Sequence, residues 1–439
     1  MSTTLIQSVQ SYTDHGKLQI QLVSQIQNRP VQGAKISISY TGAPGQPLEQ
    51  LRTNSSGQTE TIELAAPPVE YSLQPSEEQP YSEYTLKVEA EGYEPIEVSG
   101  SEILSGEISR QKIKLRPISD GNYEDVVIPD HTLFGNYPEK IPEEEVKPVN
   151  ESGEIVLSRV VIPEYVVVHD GSPADSTADN YYVRYRDYIK NVACSEIYAT
   201  WPPETIKANV LAIMSFTLNR VYTEWYRNKQ YDFTITSSTA FDHKWIYGRN
   251  IFDSISNIVD ELFENYLSRP NVRQPILTQY CDGQRVTCPQ WMSQWGSKYL
   301  GDQNYTAIEI IRNYYGESMY INSAEEISGI PASWPGYDLD IGASGMKVRQ
   351  IQEQLNTIGE VYTEVPREPV DGIYGERTKE AVRQFQSVFG LGQTGVVDYP
   401  TWYKIQEIYV GITRIAELLL KELFLFTDKI PRSVLPGTE

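Results

Sequence analysis

The stretch VDGIYGERTKEAVRQFQ, residues 370–386, decides the fold of the C-terminal part of this 439-residue chain. Its second half carries apolar residues at the spacing of one helical face, namely Ala381, Val382 and Phe385. An earlier segment carries a stripe of the same kind, formed by Val348, Ile351 and Leu355. Between the stripes, Asp371-Gly372 and Gly375 favour turns that let the second helix pack on the first. The pattern predicts a small helical module over residues 336–405.

The segments around this stretch complete a recognisable pattern. LDIGASGMKVRQIQEQLN at 339–356 opens the module, and GVV at 395–397 closes it together with Thr401-Trp402. The whole resembles the peptidoglycan-binding domain 1 family, which implies a three-helix module that binds peptidoglycan. The resemblance also implies that most motif residues define the fold. Tyr374 and Arg377 lie in the turn, where we expect them to be exposed enough to contact glycan or stem peptide.

A carboxylate stands on an apolar helical face in the central part of the chain. In YIKNVACSE, residues 188–196, Ile189, Val192 and Glu196 fall at positions i, i+3 and i+7. Desolvation on such a face raises the pKa of a carboxyl group, as a general acid working near neutrality requires. The alternative is a glutamate that ends the helix at the protein surface.

Two further motifs follow YIKNVACSE in a fixed order. IKANVLA occupies 206–212 after Trp201-Pro202, and MSQWGSK at 292–298 precedes YTAIEIIRNYY at 305–315. Together they resemble the stage II sporulation protein D family over about 165–320. The resemblance implies a central α+β transglycosylase-like domain, residues 161–325, which cleaves MurNAc–GlcNAc bonds of peptidoglycan. One acid/base residue, Glu196, suffices there because the C6 hydroxyl of the substrate is the nucleophile.

The same resemblance implies the remaining residues of the site. Ser293, Gln294 and Trp295 would line the sugar groove, with Tyr280 and Asp282 as neighbours. The alternative for residues 293–295 is a structural turn that packs the last helix. The chain departs from the family where Ile197-Tyr198 replaces Met-Pro and where CPQW at 288–291 replaces a Gly-His-Gly run. Both a divergent enzyme and a binder that retains the groove are consistent with these departures.

The chain has three cysteines and four histidines. Cys281 and Cys288 lie in one loop, where some family members bind zinc, but a zinc site needs four ligands. We therefore favour a disulfide or two buried thiols over a structural zinc, and we predict no other cofactor. Cys194 has no histidine near it in sequence that would make it a nucleophile. The histidines are scattered and form no triad: His15, His131, His169 and His243.

The N-terminal residues 1–117 are predicted to form an all-β sandwich. Apolar residues alternate with polar ones in runs such as Leu18, Ile20 and Leu22, and turn signals separate the runs. PVQGAK at 30–35 and EGYEP at 91–95 resemble carboxypeptidase-regulatory-like domains, which implies a structural or adhesive module. The fold class is therefore multidomain: a β-sandwich, an α+β domain and a three-helix domain, with an acidic linker at 118–160.

Several helices are predicted in the rest of the chain. Asp187 is a plausible N-cap for the helix that reaches Tyr198, and Pro203 opens a long helix through Arg227. An apolar stripe over 251–266 predicts another, and Thr306 with Glu309 forms a capping box for the next. Residues 406–439 are predicted to hold an amphipathic C-terminal helix and tail. That helix or the sandwich could dock a protein partner.

Charge and hydropathy exclude several classes of partner. The formal net charge of −22 argues against binding nucleic acid or anionic lipid. No run of about 18 apolar residues predicts a membrane span. The N-terminus shows no signal peptide, so we expect synthesis in the cytoplasm and action at the cell wall or spore. The favoured function is peptidoglycan cleavage; the alternatives are a non-catalytic peptidoglycan or spore-surface binder and a structural assembly component.

Overall fold

The computed structural model describes residues 13–25, 29–118, 125–148, 159–328 and 334–413. These residues form two compact units. The described residues of 13–25 and 30–328 belong to unit 1, and those of 334–413 belong to unit 2. The predicted stripe positions Ile415, Leu419 and Leu423 of the C-terminal helix lie outside the described residues.

The bounds of the strands and helices follow in chain order. The strands are β1 (Asp14–Ser24), β2 (Lys35–Tyr40), β3 (Glu49–Arg52), β4 (Ile62–Ala66), β5 (Ser82–Glu89), β6 (Ile96–Ile103), β7 (Ile108–Leu115), β8 (Val126–Val127), β9 (Val161–Ile162), β10 (Tyr165–His169), β11 (Asn180–Arg184), β12 (Ile235–Thr236), β13 (Ile251–Phe252), β14 (Asn265–Ser268), β15 (Tyr280–Cys281), β16 (Met292–Ser293), β17 (Tyr320–Ser323) and β18 (Glu326–Ile327). The helices are α1 (Glu70–Leu73), α2 (Tyr185–Glu196), α3 (Pro203–Tyr222), α4 (Asp253–Leu262), α5 (Gln294–Asp302), α6 (Ala307–Tyr315), α7 (Met346–Gly359), α8 (Glu376–Phe389) and α9 (Tyr399–Thr413).

Two mixed sheets pack face to face in the N-terminal part of unit 1. One has the strand order β13-β7-β1-β4 and the other β3-β2-β5-β6-β8. Alternating residues of both sheets fill a shared core, including Leu18 and Ile20 of β1 and Ile36 and Ile38 of β2. The predicted period-two runs therefore mark real strands, because each buries every second side chain against the opposite sheet.

Both sheets are completed by residues from outside 1–117. β8 pairs in parallel with the edge of β6, and β13 pairs with β7. β8 lies in the segment predicted to be a linker, of which residues 125–148 are described. This segment is packed into unit 1, with the side chains of His131, Leu133 and Lys147 buried. The described part of the predicted linker is thus built into the fold.

Helix α3 lies at the centre of the rest of unit 1. It is buried on nearly all sides and contacts α2, α4, α5, α6 and β14. Two glycines let α5 approach its neighbours closely: a Cβ at Gly301 would collide with Thr205 of α3, and one at Gly296 with Tyr314 of α6. This close packing brings the N-terminal end of α5 onto the C-terminal end of α2.

The structure changes three of the predicted element bounds in this region and confirms a fourth. Helix α2 begins after Arg184, so Asp187 lies in its first turn and is not the N-cap. Helix α3 ends at Tyr222 and does not reach Arg227, because Glu224 adopts a left-handed conformation with φ 47°. The apolar stripe over 251–266 is divided among β13, α4 and β14. The capping box of Thr306 and Glu309 at the start of α6 is confirmed.

Unit 2 is helical and contains α7, α8 and α9, and α9 continues beyond residue 405, where the module was predicted to end. The stripe residues of both predicted helices are buried, as is Trp402 of α9. Gly372 has φ 76°, a left-handed value that favours glycine, and a Cβ on this residue would lie 3.3 Å from the backbone oxygen of Gly345. The turn before α8 therefore has the geometry that Asp371-Gly372 predicted.

Candidate functional site

Glu196 is the last residue of α2, and its side chain is only 4% exposed. Ile189 and Val192, which were predicted to share its helical face, are fully buried. The next residue, Ile197, has extended backbone with φ −140°. The alternative of a surface glutamate at the helix end is therefore wrong. The carboxyl group instead points into a polar cluster within unit 1.

Two distant segments hold the carboxyl group of Glu196. The backbone N–H of Lys244 donates a hydrogen bond to Oε1 at 2.8 Å. Nε2 of Gln294 donates to Oε2 at 3.2 Å and to the backbone oxygen of Glu196 at 2.9 Å. Gln294 is the first residue of α5 and is itself buried. The structure thus brings together Glu196 and Gln294, the central residue of the Ser-Gln-Trp segment.

Burial raises the pKa of Glu196. Desolvation is the largest cause, and it outweighs the opposing effects of the Lys140 charge, the Lys244 N–H and the Gln294 amide. The carboxyl group consequently keeps its proton to a higher pH than an exposed glutamate does. A group of this kind can act as a general acid toward a bound substrate near neutral pH.

An aromatic and imidazole cluster lies beside Glu196. Tyr280 is buried, and burial together with the nearby charge of Glu196 raises its pKa. The His243 ring stacks on Tyr280 with centroids 5.8 Å apart, and its Nδ1 lies 3.1 Å from the hydroxyl of Tyr188. Burial lowers the pKa of His243 well below its usual value, so the imidazole is neutral. Tyr280 therefore lies near Glu196, as the resemblance implied.

Sequence reasoning missed two lysines at this site. Lys140 donates to the backbone oxygen of Asp242, and its Nζ lies 4.8 Å from the centroid of the Tyr280 ring. Burial lowers the pKa of Lys140, whereas the Glu196 charge opposes that shift. Lys244 contributes its backbone to Glu196. The only sequence signal was the placement of charged residues on both sides of His243, in DHK at 242–244.

Ser293 and Trp295 do not project freely into a groove. Ser293 is the N-cap of α5, where its Oγ accepts a hydrogen bond from Gly296 N at 2.9 Å. Trp295 is 7% exposed and packs against Trp201 with ring centroids 5.0 Å apart. The Trp295 ring is therefore used in packing α5 onto the segment just before α3, which is the role that the alternative of a structural turn gives it.

The loop before α5 is closed on itself. Cys281 and Cys288 form a disulfide, with Cα atoms 5.6 Å apart, so their sulfurs are not available as thiolate ligands in this state. Asp282 accepts hydrogen bonds from the backbone of Arg285 at 2.8 Å and Val286 at 2.9 Å. Its side chain therefore orders the loop. Among the residues that the structure describes, no group of three or more His, Cys, Asp or Glu side chains could hold a metal ion.

Cys194 is the remaining cysteine, and it is buried as a free thiol. Its Sγ accepts a hydrogen bond from the backbone N–H of Phe252 at 3.4 Å. Burial raises the pKa of this thiol to about 12, so the thiolate required of a nucleophile does not form near neutrality.

In unit 2 the structure separates the two predicted contact residues. Tyr374 is 1% exposed, and its hydroxyl donates to the backbone oxygen of Gly395 at 2.9 Å. The expectation that Tyr374 is exposed is therefore wrong: its ring packs the turn onto the loop before α9. Arg377 lies in the first turn of α8 and is exposed.

The same turn is held by a buried glutamine. Gln352 of α7 donates from Nε2 to Asp371 Oδ1 at 3.0 Å and accepts from Gly372 N at 2.8 Å. This contact joins α7 to the turn that precedes α8.

Residues 344–405 match the family described as "Putative peptidoglycan binding domain". This segment is a peptidoglycan-binding domain. The match supports binding of the chain to the cell wall, and it covers α7, α8 and the start of α9. No curated protein sequence matches the chain.

Solved structures resemble parts of the chain. The SleB N-terminal domain is 28% identical over 18% of this chain and 99% of its own, with a TM-score of 0.16. The 5-hydroxyisourate hydrolase of Klebsiella pneumoniae is 18% identical over 24% of this chain and 92% of its own, with a TM-score of 0.17. The minor pilin GBS52 of Streptococcus agalactiae is 16% identical over 25% and 48%, also with a TM-score of 0.17. At these TM-scores none of the three defines the fold or activity of this chain.

Within the described residues, no helix has both the length and the apolar character needed to cross a membrane.

Proposed function

We propose that the protein binds peptidoglycan through residues 344–405 and cleaves its glycan strands as a lytic transglycosylase, with Glu196 as the acid/base. The observation that carries the proposal is the contact between Glu196 and Gln294. Two motifs that are far apart in sequence meet there around one buried carboxyl group. The resemblance of those motifs to the stage II sporulation protein D family is part of this proposal, as is the carboxypeptidase-regulatory-like character of the sandwich.

The chemistry needs one titratable group. Protonated Glu196 gives its proton to the glycosidic oxygen as the bond from that oxygen to C1 of MurNAc breaks. The carboxylate then accepts the proton of the MurNAc C6 hydroxyl while the C6 oxygen bonds to C1. The products are a free GlcNAc hydroxyl and a 1,6-anhydro end, and Glu196 regains its proton. Paired carboxylates of ordinary glycosidases are not required, because the nucleophile belongs to the substrate.

The residues around Glu196 suit both of its protonation states. When the proton leaves, the N–H of Lys244 and the amide of Gln294 donate to the carboxylate. The positive charge of Lys140 also favours the carboxylate. Burial favours the protonated acid. The site thus contains groups that favour each of the two protonation states through which an acid that becomes a base must pass.

The peptidoglycan-binding domain supports turnover by tethering. A domain that holds the wall raises the local concentration of glycan strands at Glu196, since the second contact becomes intramolecular. The site of action in this proposal is the cell wall or the spore.

A non-catalytic peptidoglycan binder is the second candidate. It is favoured by the 4% exposure of Glu196 and by the burial of Trp295. In that function the cluster around Glu196 would stabilise unit 1, and residues 344–405 alone would bind the wall.

Product analysis of Glu196→Gln separates the two candidates. Gln keeps the size of the side chain but cannot donate a carboxylic proton. We expect wild type to produce 1,6-anhydro-muramic ends from purified glycan strands, detected by mass spectrometry. We expect the variant to lose about 10²- to 10⁴-fold in rate.

Glu261→Gln is the matched control, because Glu261 is an exposed residue of α4. It should retain wild-type activity, and all three proteins should sediment equally with insoluble peptidoglycan. Equal rates for wild type and Glu196→Gln would remove Glu196 from the mechanism. If wild type binds the wall but cleaves no glycan, the second candidate function, a non-catalytic peptidoglycan binder, is supported.

A further inference from the structure

A cavity of about 590 Å³ lies within unit 1, where the sandwich meets the central region. The sandwich supplies one wall through Lys114 at the end of β7, Arg116 after it, and Glu94 before β6. The central region supplies the other wall through the β10–β11 hairpin and residues 244–247. The volume lies within the range of about 300–1,000 Å³ that is typical of small-molecule sites.

Three aromatic rings form one side of this cavity. Tyr181 lies 4.9 Å from Tyr247 and 5.3 Å from Trp245, measured between ring centroids. Trp245 is buried, whereas Tyr247 is 44% exposed and presents ring surface to the cavity. Trp245 thus supports the two tyrosines from behind. A supported, partly exposed aromatic surface suits the apolar face of a sugar ring.

The charged lining of the cavity suits a polar ligand of low net charge. Its basic residues are Lys114, Arg116 and Lys244. Its acidic residues are Glu94, Asp125, Asp170 and Asp179. The two signs nearly balance, so the cavity offers no net attraction to a polyanion. Both donors and acceptors are present, as the hydroxyl and acetamido groups of a saccharide require.

Lys244 connects the cavity to Glu196. Lys244 lines the cavity, and its backbone N–H donates to Glu196 Oε1 at 2.8 Å. The adjacent residues 245 and 247 carry two of the three rings. A ligand on the rings is therefore held by the same loop that positions the acid.

We propose that this cavity is a saccharide-binding subsite for the glycan strand, and that the sandwich forms one of its walls. The assignment of the glycan as ligand rests on the proposed function. The sandwich then contributes to substrate binding, in addition to any structural role. The side chains that face the ligand come from β7, from the β10–β11 hairpin and from residues 244–247.

Hydrogen–deuterium exchange on the full chain tests the subsite. The probe is a peptide-free GlcNAc–MurNAc tetrasaccharide, and Glu196→Gln is the common background so that the probe is not consumed. We expect the probe to protect peptides covering 243–248 and 112–117. Adding Tyr247→Ala should weaken binding at these peptides roughly 3- to 10-fold, since one ring face is lost.

Tyr182→Ala is the matched control, because Tyr182 is the neighbouring tyrosine of β11, is 75% exposed and does not line the cavity. It should leave the protection unchanged. Protection confined to 334–413, or equal effects of the two tyrosine variants, would overturn the subsite. If wild type fails to produce anhydro ends but Tyr247→Ala still weakens the protection, the proposed cleavage fails and the subsite stands. If wild type cleaves and Tyr247→Ala leaves KM unchanged, the subsite fails and the cleavage stands.

Discussion

Glu83 shows how one carboxyl group can couple stability to pH. It lies in β5 directly opposite Glu102 of β6. Like charges in directly opposed positions destabilise a sheet. The pKa of Glu83 is raised to about 7. Burial is the largest cause of this shift, and the charge of Glu102 is the second.

The pH dependence of stability follows from this shift. Below the ordinary value of 4.5 the carboxyl is protonated in both the folded and the unfolded chain. As the pH rises to about 7, the unfolded chain loses the proton first, so the free energy of unfolding decreases. Glu83→Gln should therefore be more stable than wild type by about 1–3 kcal/mol at pH 8, and the difference should vanish at pH 4.

Urea denaturation at pH 4 and pH 8 measures this difference. Glu63→Gln is the control, because Glu63 is an exposed residue of β4. It should show the same pH dependence as wild type. If the difference in the free energy of unfolding between Glu83→Gln and wild type does not change with pH, the pKa of Glu83 is not raised in the folded chain.

At the candidate site, the sequence was informative about single residues on regular helices. The i, i+3, i+7 spacing predicted the burial of Glu196, because a helix fixes which side chains share a face. The contact with Gln294 was implied only by the motif resemblance. Lys140, His243 and Lys244 come from irregular segments, which have no period from which their position could be predicted. Their role depends on tertiary packing alone.

Helix α6 offers a test at the scale of an element. Thr306 and Glu309 form a reciprocal capping box, in which Glu309 Oε2 accepts from Thr306 N at 2.8 Å. Thr306→Ala removes the side-chain half of this box and should lower the free energy of unfolding by about 1 kcal/mol. Thr306→Ser keeps the hydroxyl and should stay close to wild type. Thermal denaturation of the three proteins measures the loss, and identical midpoints would show that the cap contributes nothing.

The ends of helices and strands could be predicted where residues close to the boundary in sequence determine it. The capping box of α6 is local, so its start was predicted correctly. Helix α3 ends because Glu224 takes a left-handed conformation that its residue type does not signal. Ile251 belongs to the predicted helical stripe, but together with Phe252 it pairs with β7, since the open sheet edge provides hydrogen bonds that the sequence does not show.

At the scale of the whole molecule, a buried ion pair joins the sandwich to the central region. Arg249 forms a bidentate contact with Glu102 of β6, with Nη2 to Oε2 at 2.6 Å, and both side chains are almost fully buried. Nη2 also donates to the backbone oxygen of Cys194, two residues before Glu196. This arginine therefore connects β6 to the end of α2.

Removing either Arg249 or Glu102 alone should destabilise unit 1, because the charge of the other residue then stays buried without a partner. Arg249→Met should lower the free energy of unfolding of unit 1 by about 3–5 kcal/mol. Combining it with Glu102→Leu should recover a large part of that loss. Guanidinium denaturation measures all variants.

The exposed pair of Lys87 and Glu97 provides the control, since Lys87→Met should cost about 1 kcal/mol or less. A small effect of Arg249→Met, equal to that of Lys87→Met, would show that the ion pair does not join the two regions.

Strands β8 and β13 have a consequence for how this protein can be recombined. Both strands are short, both come from outside residues 1–117, and each covers an edge of the sandwich. A gene fusion cut after residue 117 would leave the edges of β6 and β7 unpaired, and bare edges recruit other chains. Residues 1–117 are therefore not a complete domain for gene fusion. A fusion protein should keep the sandwich together with the segments that supply β8 and β13.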